Sequence, residues 1–231
     1  MAELLPRVSV VIPTLNEAGT IGKCLDHLAG QGADEVIVAD AGSPDGSAEL
    51  ARRAGARVVA SPRGRGVQQN RGAAAASGEV LLFLHADCRL EAGAIGVLRR
   101  FVARCPKVPG GCFRMRVDGP ERAFRAIDAA AHLRAGMLGV PYGDQGLFIP
   151  RWAFDRVGGF PELPLMEDVY VMLRLRKLGR IALLPRRIDV SARRWRSHGI
   201  AGQSLRNWAL TIGAAAGVTT ETLARFYPMV R

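Results

Sequence analysis

The chain has 231 residues, 48% of them hydrophobic, which is enough to bury a substantial core in one domain. Its 32 basic residues outnumber 21 acidic ones for a formal charge of +11, and only Lys23, Lys107 and Lys177 are lysines. Arginine's planar fork suits bidentate contact with phosphate or carboxylate, so an anionic ligand is expected. Aromatics at 6%, with no basic run interleaved among them, argue against nucleic acid as the partner. Cys24, Cys88, Cys105 and Cys112 form no C-x-x-C pair and no zinc spacing, as expected of reduced thiols in a cytoplasmic protein. The start, M-A-E-L-L-P-R-V, lacks the basic region and apolar core of a signal peptide. No apolar run approaches the ~20 residues that span a bilayer, so the expectation is a soluble chain, with peripheral contact on the inner face of the membrane left open.

Residues 8–12 (V-S-V-V-I) read as a strand stopped by Pro13, after which Asn16 or Glu17 opens a helix to about Ala29. Residues 35–39 form a second strand ending at Asp40, and the turn-rich A-G-S-P-D-G-S leads to a helix through Ala54. A third short strand covers 57–60, and S-P-R-G-R-G leads into a helix over about 67–76. Residues 80–84 (V-L-L-F-L) are apolar without alternation, the pattern of a strand covered on both faces of a parallel sheet. That run stops at His85-Ala86-Asp87. Ligands of open α/β sheets gather at the carboxyl ends of strands, so Asp87 is presented to a substrate unless it only caps the next segment. Strand–helix alternation repeated three times before residue 88 predicts an α/β fold, Rossmann-like and doubly wound, with a mainly parallel sheet and helices on both faces.

The second half is less regular. A helix is predicted over 93–103, a strand with one wet face over 111–117, and a helix over 120–138 with Pro120 in its first turn. A turn at 141–146 precedes the apolar Leu147-Phe148-Ile149, and a loop follows at 158–161. A helix over 165–178 ends at Gly179, a strand covers 180–184, and a helical region runs from 203 to about 226 beyond Arg193-Arg194-Trp195-Arg196. Glu17, Asp40, Asp87 and the pair Glu167-Asp168 all fall at strand ends or helix starts. Helix dipoles account singly for Glu17, Glu167 and Asp168. Taken together, strands one, two and four deliver polar groups to one edge, where three carboxylates crowd.

In order, V-V-I-P-T-L-N-E, V-I-V-A-D-A-G-S-P-D-G-S, Q-N-R-G-A-A-A-A-S-G-E-V-L-L-F-L-H-A-D, G-G-F-P-E and M-E-D-V-Y-V-M-L-R-L-R-K-L-G cover roughly residues 7–180. In this spacing the chain resembles a family 2 glycosyltransferase of the GT-A fold. S-A-R-R-W and the Y-P-M-V-R ending are similar to the short subgroup associated with radical-SAM and selenodomain proteins. The resemblance implies one GT-A domain, with a nucleotide-sugar-binding half over about 7–115, an acceptor half over about 116–200 and a C-terminal helical segment over about 201–231. It implies inverting transfer of a hexosyl or related sugar from a nucleotide-diphosphate sugar, UDP-linked before GDP-linked, to an acceptor hydroxyl, with Mn²⁺ or Mg²⁺ required.

The family's D-x-D motif stands here as His85-Ala86-Asp87. The resemblance makes Asp87 the metal ligand beside the donor diphosphate, with Ala86 against the donor. It leaves His85 as either a softer co-ligand that favours Mn²⁺ or a donor contact. Asp40 would accept the N3–H of a uracil-type base, with Pro13, Thr14 and Glu17 around base and ribose, although the usual second Asp is Ala41 here. Arg65 and Arg71 compete for the diphosphate, and Asp144 and Gln145 line the sugar pocket. Arg194 and His198 either return to the metal or diphosphate or belong to a solvated basic turn. Asp168 is the implied general base that takes the acceptor proton, with Glu167 orienting acceptor or base.

Two other readings compete. A sugar-phosphate nucleotidyltransferase would share the strand-end Asp and the metal, but P-T-L-N-E lacks the glycine-rich basic loop such enzymes carry after strand one. A non-catalytic basic binding protein leaves the buried strand ending in Asp87 unexplained. The basic surface and the C-terminal segment with Trp208 would suit a lipid-phosphate or phosphorylated acceptor; the same helix could instead pack on its own domain or on a second subunit in a homodimer.

Overall fold

The computed structural model describes residues 5–215 and 218–225, the side chains of His198 and Ala215 excepted. Its first half alternates β1 (Val8–Thr14), α1 (Ile21–Ala29), β2 (Glu35–Asp40), α2 (Ser47–Arg53), β3 (Arg57–Ala60), α3 (Arg65–Ala75) and β4 (Val80–Phe83). The chain continues through β5 (Cys88–Leu90), α4 (Ala94–Arg104), β6 (Gly111–Asp118) and α5 (Arg122–Leu133), which runs on into a π-helical turn, Arg134–Leu138. A 3₁₀ turn, Gly143–Gln145, precedes β7 (Leu147–Pro150) and α6 (Arg151–Val157). Last come α7 (Glu167–Arg176), β8 (Ala182–Ser191), α8 (Arg193–His198), α9 (Ile200–Ala215) and α10 (Thr220–Arg225).

Among the described residues, one sheet holds all eight strands in the order β3-β2-β1-β4-β7-β6-β8-β5. β3, β2, β1 and β4 are parallel to one another. β7 runs antiparallel to β4 and β6, while β6 and β8 are again parallel. The unbroken apolar run of β4 has the expected cause. Val80, Leu82 and Leu84 enter one hydrophobic core together with Val8, Val10 and Ile12, whereas Leu81 and Phe83 enter a second core with Val11 on the opposite face.

Several boundaries differ from the sequence reading, each for a physical reason. Pro13 does not stop β1. Val8 and Thr14 turn their carbonyls toward the β2 side, so by alternation the nitrogen of Pro13 faces the β4 side, beyond the last bond from Leu84 N–H to the Val11 carbonyl. No helix opens at Asn16 or Glu17. The backbone N–H groups of Asn16, Glu17 and Ala18 donate instead to Ser43, Ser47 and Asp45, in the loop before α2 and at its first residue, and α1 starts at Ile21.

β8 reaches Ser191 rather than residue 184 because Pro185 and Arg186 form a bulge. Leu184 faces Phe113, and the next pair is Arg187 with Arg114, which lets proline sit where no ladder N–H is needed. α5 begins at Arg122, leaving Pro120 outside its first turn. The short β5 and α6 carry no sequence expectation. α6 is anchored by Arg151, whose guanidinium donates to the carbonyls of Ala73, Ala76 and Gly78. The basic run after β8 is helical (α8) rather than a turn. The end of the predicted C-terminal helix at Phe226, and the Y-P-M-V-R ending, lie outside the described residues.

Candidate active site

Because β1, β2 and β4 run parallel, Thr14, Asp40 and His85-Ala86-Asp87 arrive at one sheet edge. Asp40 is buried, and its carboxylate folds onto its own loop. Gly42 N–H and Ser43 N–H donate to Oδ2 at 2.9 and 3.0 Å, and the Ser43 hydroxyl donates to Oδ1 at 2.5 Å. Thr14 and Ala86 are buried and Pro13 is partly so. Glu17 accepts the Thr20 hydroxyl at 2.7 Å.

The second half of the chain closes a cleft over this edge. Its lining includes Arg65 at the start of α3, His85, Asp87, Asp144, Asp168 at the start of α7, and Arg194 on α8. Asp168 is fixed by two backbone donors, Gly143 N–H to Oδ2 at 2.5 Å and Val169 N–H to Oδ1 at 2.8 Å. A Cβ on Gly143 would stand 3.2 Å from both His85 Nε2 and Asp168 Oδ2, so these two groups flank the glycine.

Burial, with the Arg65 guanidinium, lowers the His85 pKa to about 4, against the pull of Asp87 and Asp168. The imidazole is therefore neutral near pH 7, and its Nε2 is buried without a hydrogen-bond partner. Burial pushes the Asp144 carboxyl up to about 6 despite Arg134 and Arg194, and its Oδ1 is likewise unpartnered. Burial also pushes up the thiols of Cys24 and Cys112, to about 12, and raises that of Cys88. All four cysteines are free thiols, as expected. Among the described residues, no three His, Cys, Asp or Glu side chains cluster as a metal cage.

The expected site residues divide. Arg65 lines the cleft, whereas Arg71, further along the same helix, is exposed and outside it. Glu167 is buried and faces Arg65 at 3.6 Å, not the cleft. Burial raises its pKa, and Arg65 opposes that rise. Gln145 is fully buried and structural: its Oε1 accepts from Arg134 at 2.9 Å and from Tyr142 N–H at 3.2 Å. The side chain of His198 lies outside the described residues.

Six contributors escaped the sequence reading. Arg193 Nη2 lies 3.6 Å from Asp87 and 3.9 Å from Glu17, tying α8 to the strand edge. Gln68, buried in α3, donates to the carbonyls of Thr14 and Ala39 and so joins the ends of β1 and β2. Asn70 clasps both backbone groups of Phe160 at 2.9 Å. Gln203, Asn207 and Thr211 of α9 complete the cleft wall, with Thr211 bonded to the Tyr142 hydroxyl. Only the Q-N-R-G run, residues 69–72, hinted at Asn70. Among the described residues, two non-glycine residues have positive φ, Asn16 at 56° and Met166 at 65°, and they precede Glu17 and Glu167, a placement that strained backbones favour at functional sites.

The Glycosyl transferase family 2 model matches residues 9–160, well over half of the chain. The chain belongs to glycosyltransferase family 2. Within this family it is similar to glycosyltransferase AglE of Haloferax volcanii, 37% identical over 99 residues that cover 38% of this chain and 33% of that protein. The chain thus spans about a third of the length of that curated relative. This family 2 member also shares its fold with a mannosyltransferase from Pyrobaculum calidifontis solved with GDP-Man and Mn²⁺. That match has a TM-score of 0.63 and 24% identity, over 80% of this chain and 56% of that one. The S. aureus TarS structure with UDP-GlcNAc gives a TM-score of 0.65 at 18% identity, over 80% and 58% of the two chains. Among the described residues, no helix is long and apolar enough to cross a membrane.

Proposed function

We propose that this chain transfers a sugar from a nucleotide-diphosphate sugar to an acceptor hydroxyl with inversion, and that Asp168 is the general base. The observation that carries this reading is the meeting of Asp168 with the end of β4 in one cleft, on either side of Gly143. Asp168 keeps lone pairs free after its two backbone bonds, so it can take the acceptor's proton as the hydroxyl attacks the anomeric carbon from the face opposite the diphosphate. Arg65 and Arg194 receive the diphosphate charge. Glu167 holds Arg65 in place rather than touching the acceptor. Asp40 retains one lone pair on Oδ1 for the base, and the fold's likeness to proteins solved with GDP-Man and UDP-GlcNAc makes UDP- and GDP-sugars the donors to test first.

The donor set fits a divalent cation that takes part of its shell from the nucleotide. Mg²⁺ and Mn²⁺ sites commonly use one or two protein ligands plus substrate phosphates. Here Asp87 and the unpartnered Nε2 of His85 would serve as those two. Bound there, Mn²⁺ or Mg²⁺ would offset the charge growing on the leaving diphosphate.

The test is thermal shift with a panel of nucleoside diphosphates, with and without Mn²⁺, on the parent and on Asp87→Ala. Metal-dependent stabilisation by UDP or GDP that vanishes in Asp87→Ala is expected. Equal stabilisation in both proteins would overturn the metal role, and none by any nucleotide would overturn the donor reading.

A further inference from the structure

The helix that walls the cleft has an opposite face of different character. α9 turns Gln203, Asn207 and Thr211 inward, while Leu205, Trp208 and Ile212, spaced i, i+3 and i+7, are 72%, 61% and 62% exposed. Such a stripe on a helix is normally buried. A second exposed apolar group, Leu133, Met137 and Leu138, lies in the segment leading to Val140 and Tyr142. Those two residues pack with Leu210 of α9, and the Tyr142 hydroxyl bonds Thr211. The described residues therefore carry two exposed apolar groups on segments joined through Tyr142, where single exposed hydrophobics are the norm.

The sequence that flanks these groups is basic, with Arg194 lining the cleft and Arg134 held by the Val140 carbonyl and Gln145. Residues 190–220 contain Arg193, Arg194, Arg196 and Arg206 and no carboxylate, the next acidic residue being Glu221. Residues 129–143 contain Arg134 and no carboxylate. Arg193 and Arg196 are partly offset by Glu17, Asp87 and Glu121. α9 has 16 residues, a length of about 24 Å, and among the described residues no helix can cross a membrane. An apolar stripe containing Trp and flanked by arginine, on a helix too short to span, suits the interface of an anionic bilayer.

We propose that this face docks on an anionic lipid surface and holds the mouth of the cleft at that surface. A second copy of the chain is the poorer occupant. A two-fold contact would set each basic patch against its own image, and like charges facing each other cost affinity. Docking would also favour an acceptor presented at the lipid surface. That consequence rests on the transferase reading, so binding is measured without donor and the two can fail separately.

The experiment is flotation of the full chain with phosphatidylcholine vesicles and with vesicles that also contain phosphatidylglycerol, at low and high salt. The Leu205→Gln/Ile212→Gln double variant, neither position lining the cleft, is run in parallel, with melting temperature as the folding control and light scattering for oligomeric state. Expected are binding that requires phosphatidylglycerol, falls with salt, and weakens about tenfold or more in the folded double variant. No binding by the parent chain above the phosphatidylcholine control would overturn the proposal whatever the variant does. A lipid-free dimer that the double variant dissociates would also overturn it and assign the face to a second copy.

Discussion

Asp168→Asn separates a catalytic carboxylate from a structural one, and the structure sets the size of both effects. Asp168 accepts from the buried Gly143 N–H at 2.5 Å and from Val169 N–H at 2.8 Å. Asparagine offers one oxygen, so it can satisfy only one of these donors and turns an N–H₂ toward the other. An unsatisfied buried N–H costs about 1–3 kcal/mol, and lost charge at a helix start adds about 0.3–1 kcal/mol. For a chain of this size each kcal/mol lowers the melting temperature by roughly 2–4 °C, so a measurable fall is expected from structure alone. Loss of a general base typically costs about 10²–10⁴ in rate with donor affinity nearly unchanged. Turnover and donor affinity are therefore compared well below both melting temperatures. Turnover within about tenfold of the parent protein would refute the assignment, since that is less than general base catalysis contributes.

Arg65→Ala should weaken nucleoside diphosphate binding about tenfold or more, as expected for a charged hydrogen bond, while Arg71→Ala leaves it unchanged; the reverse order by calorimetry would move the diphosphate. Asn70→Ala strands both backbone groups of the buried Phe160 and should cost about 2–4 kcal/mol in urea unfolding, and a loss near zero would show that the loop finds other partners. Burial raises the Asp144 pKa to about 6, against an unfolded value of about 3.9. The folded state therefore holds the extra proton between those values, and stability falls as pH rises through that window. Asp144→Asn should remove this slope and raise the melting temperature above pH 6, measured by calorimetry with EDTA; an unchanged profile would mean that the carboxylate is solvated.

What the sequence made legible was what local pattern controls. The β4 run is apolar without alternation because its two faces feed two cores. The strand-end placement of Asp40 and Asp87 followed from the parallel order. Distant partners hid the rest. Three donors of residues 16–18 turn to a loop some 27–30 residues away, which no helix-start signal announces. Pro185 reads as the end of a strand, yet a bulge carries β8 past it to the cleft at Val190 and Ser191. Gln145 in its glycine-flanked turn has the look of a ligand contact but serves Arg134 and Tyr142. Arg193 is one of three arginines in Arg193-Arg194-Trp195-Arg196, and only the turn of α8 aims it at Asp87.

The replacement of the motif's first carboxylate by His85 makes electrostatic sense in this cleft. Asp87, Asp144 and Asp168 already line it against Arg65 and Arg194. A fourth carboxylate at position 85 would add repulsion to a group of acids of which one, Asp144, is already pushed up to about 6. A histidine lowered to about 4 instead brings a neutral nitrogen lone pair. At neutral pH the lining then carries three negative side chains against two positive ones, an unfavourable surface for a diphosphate by itself. Under the proposed function, a cation entering with the nucleotide on the side of His85 and Asp87 would restore the charge balance. Asp168 stands in the same cleft, so one arrangement of side chains supports both the donor and the acceptor halves of the proposed reaction.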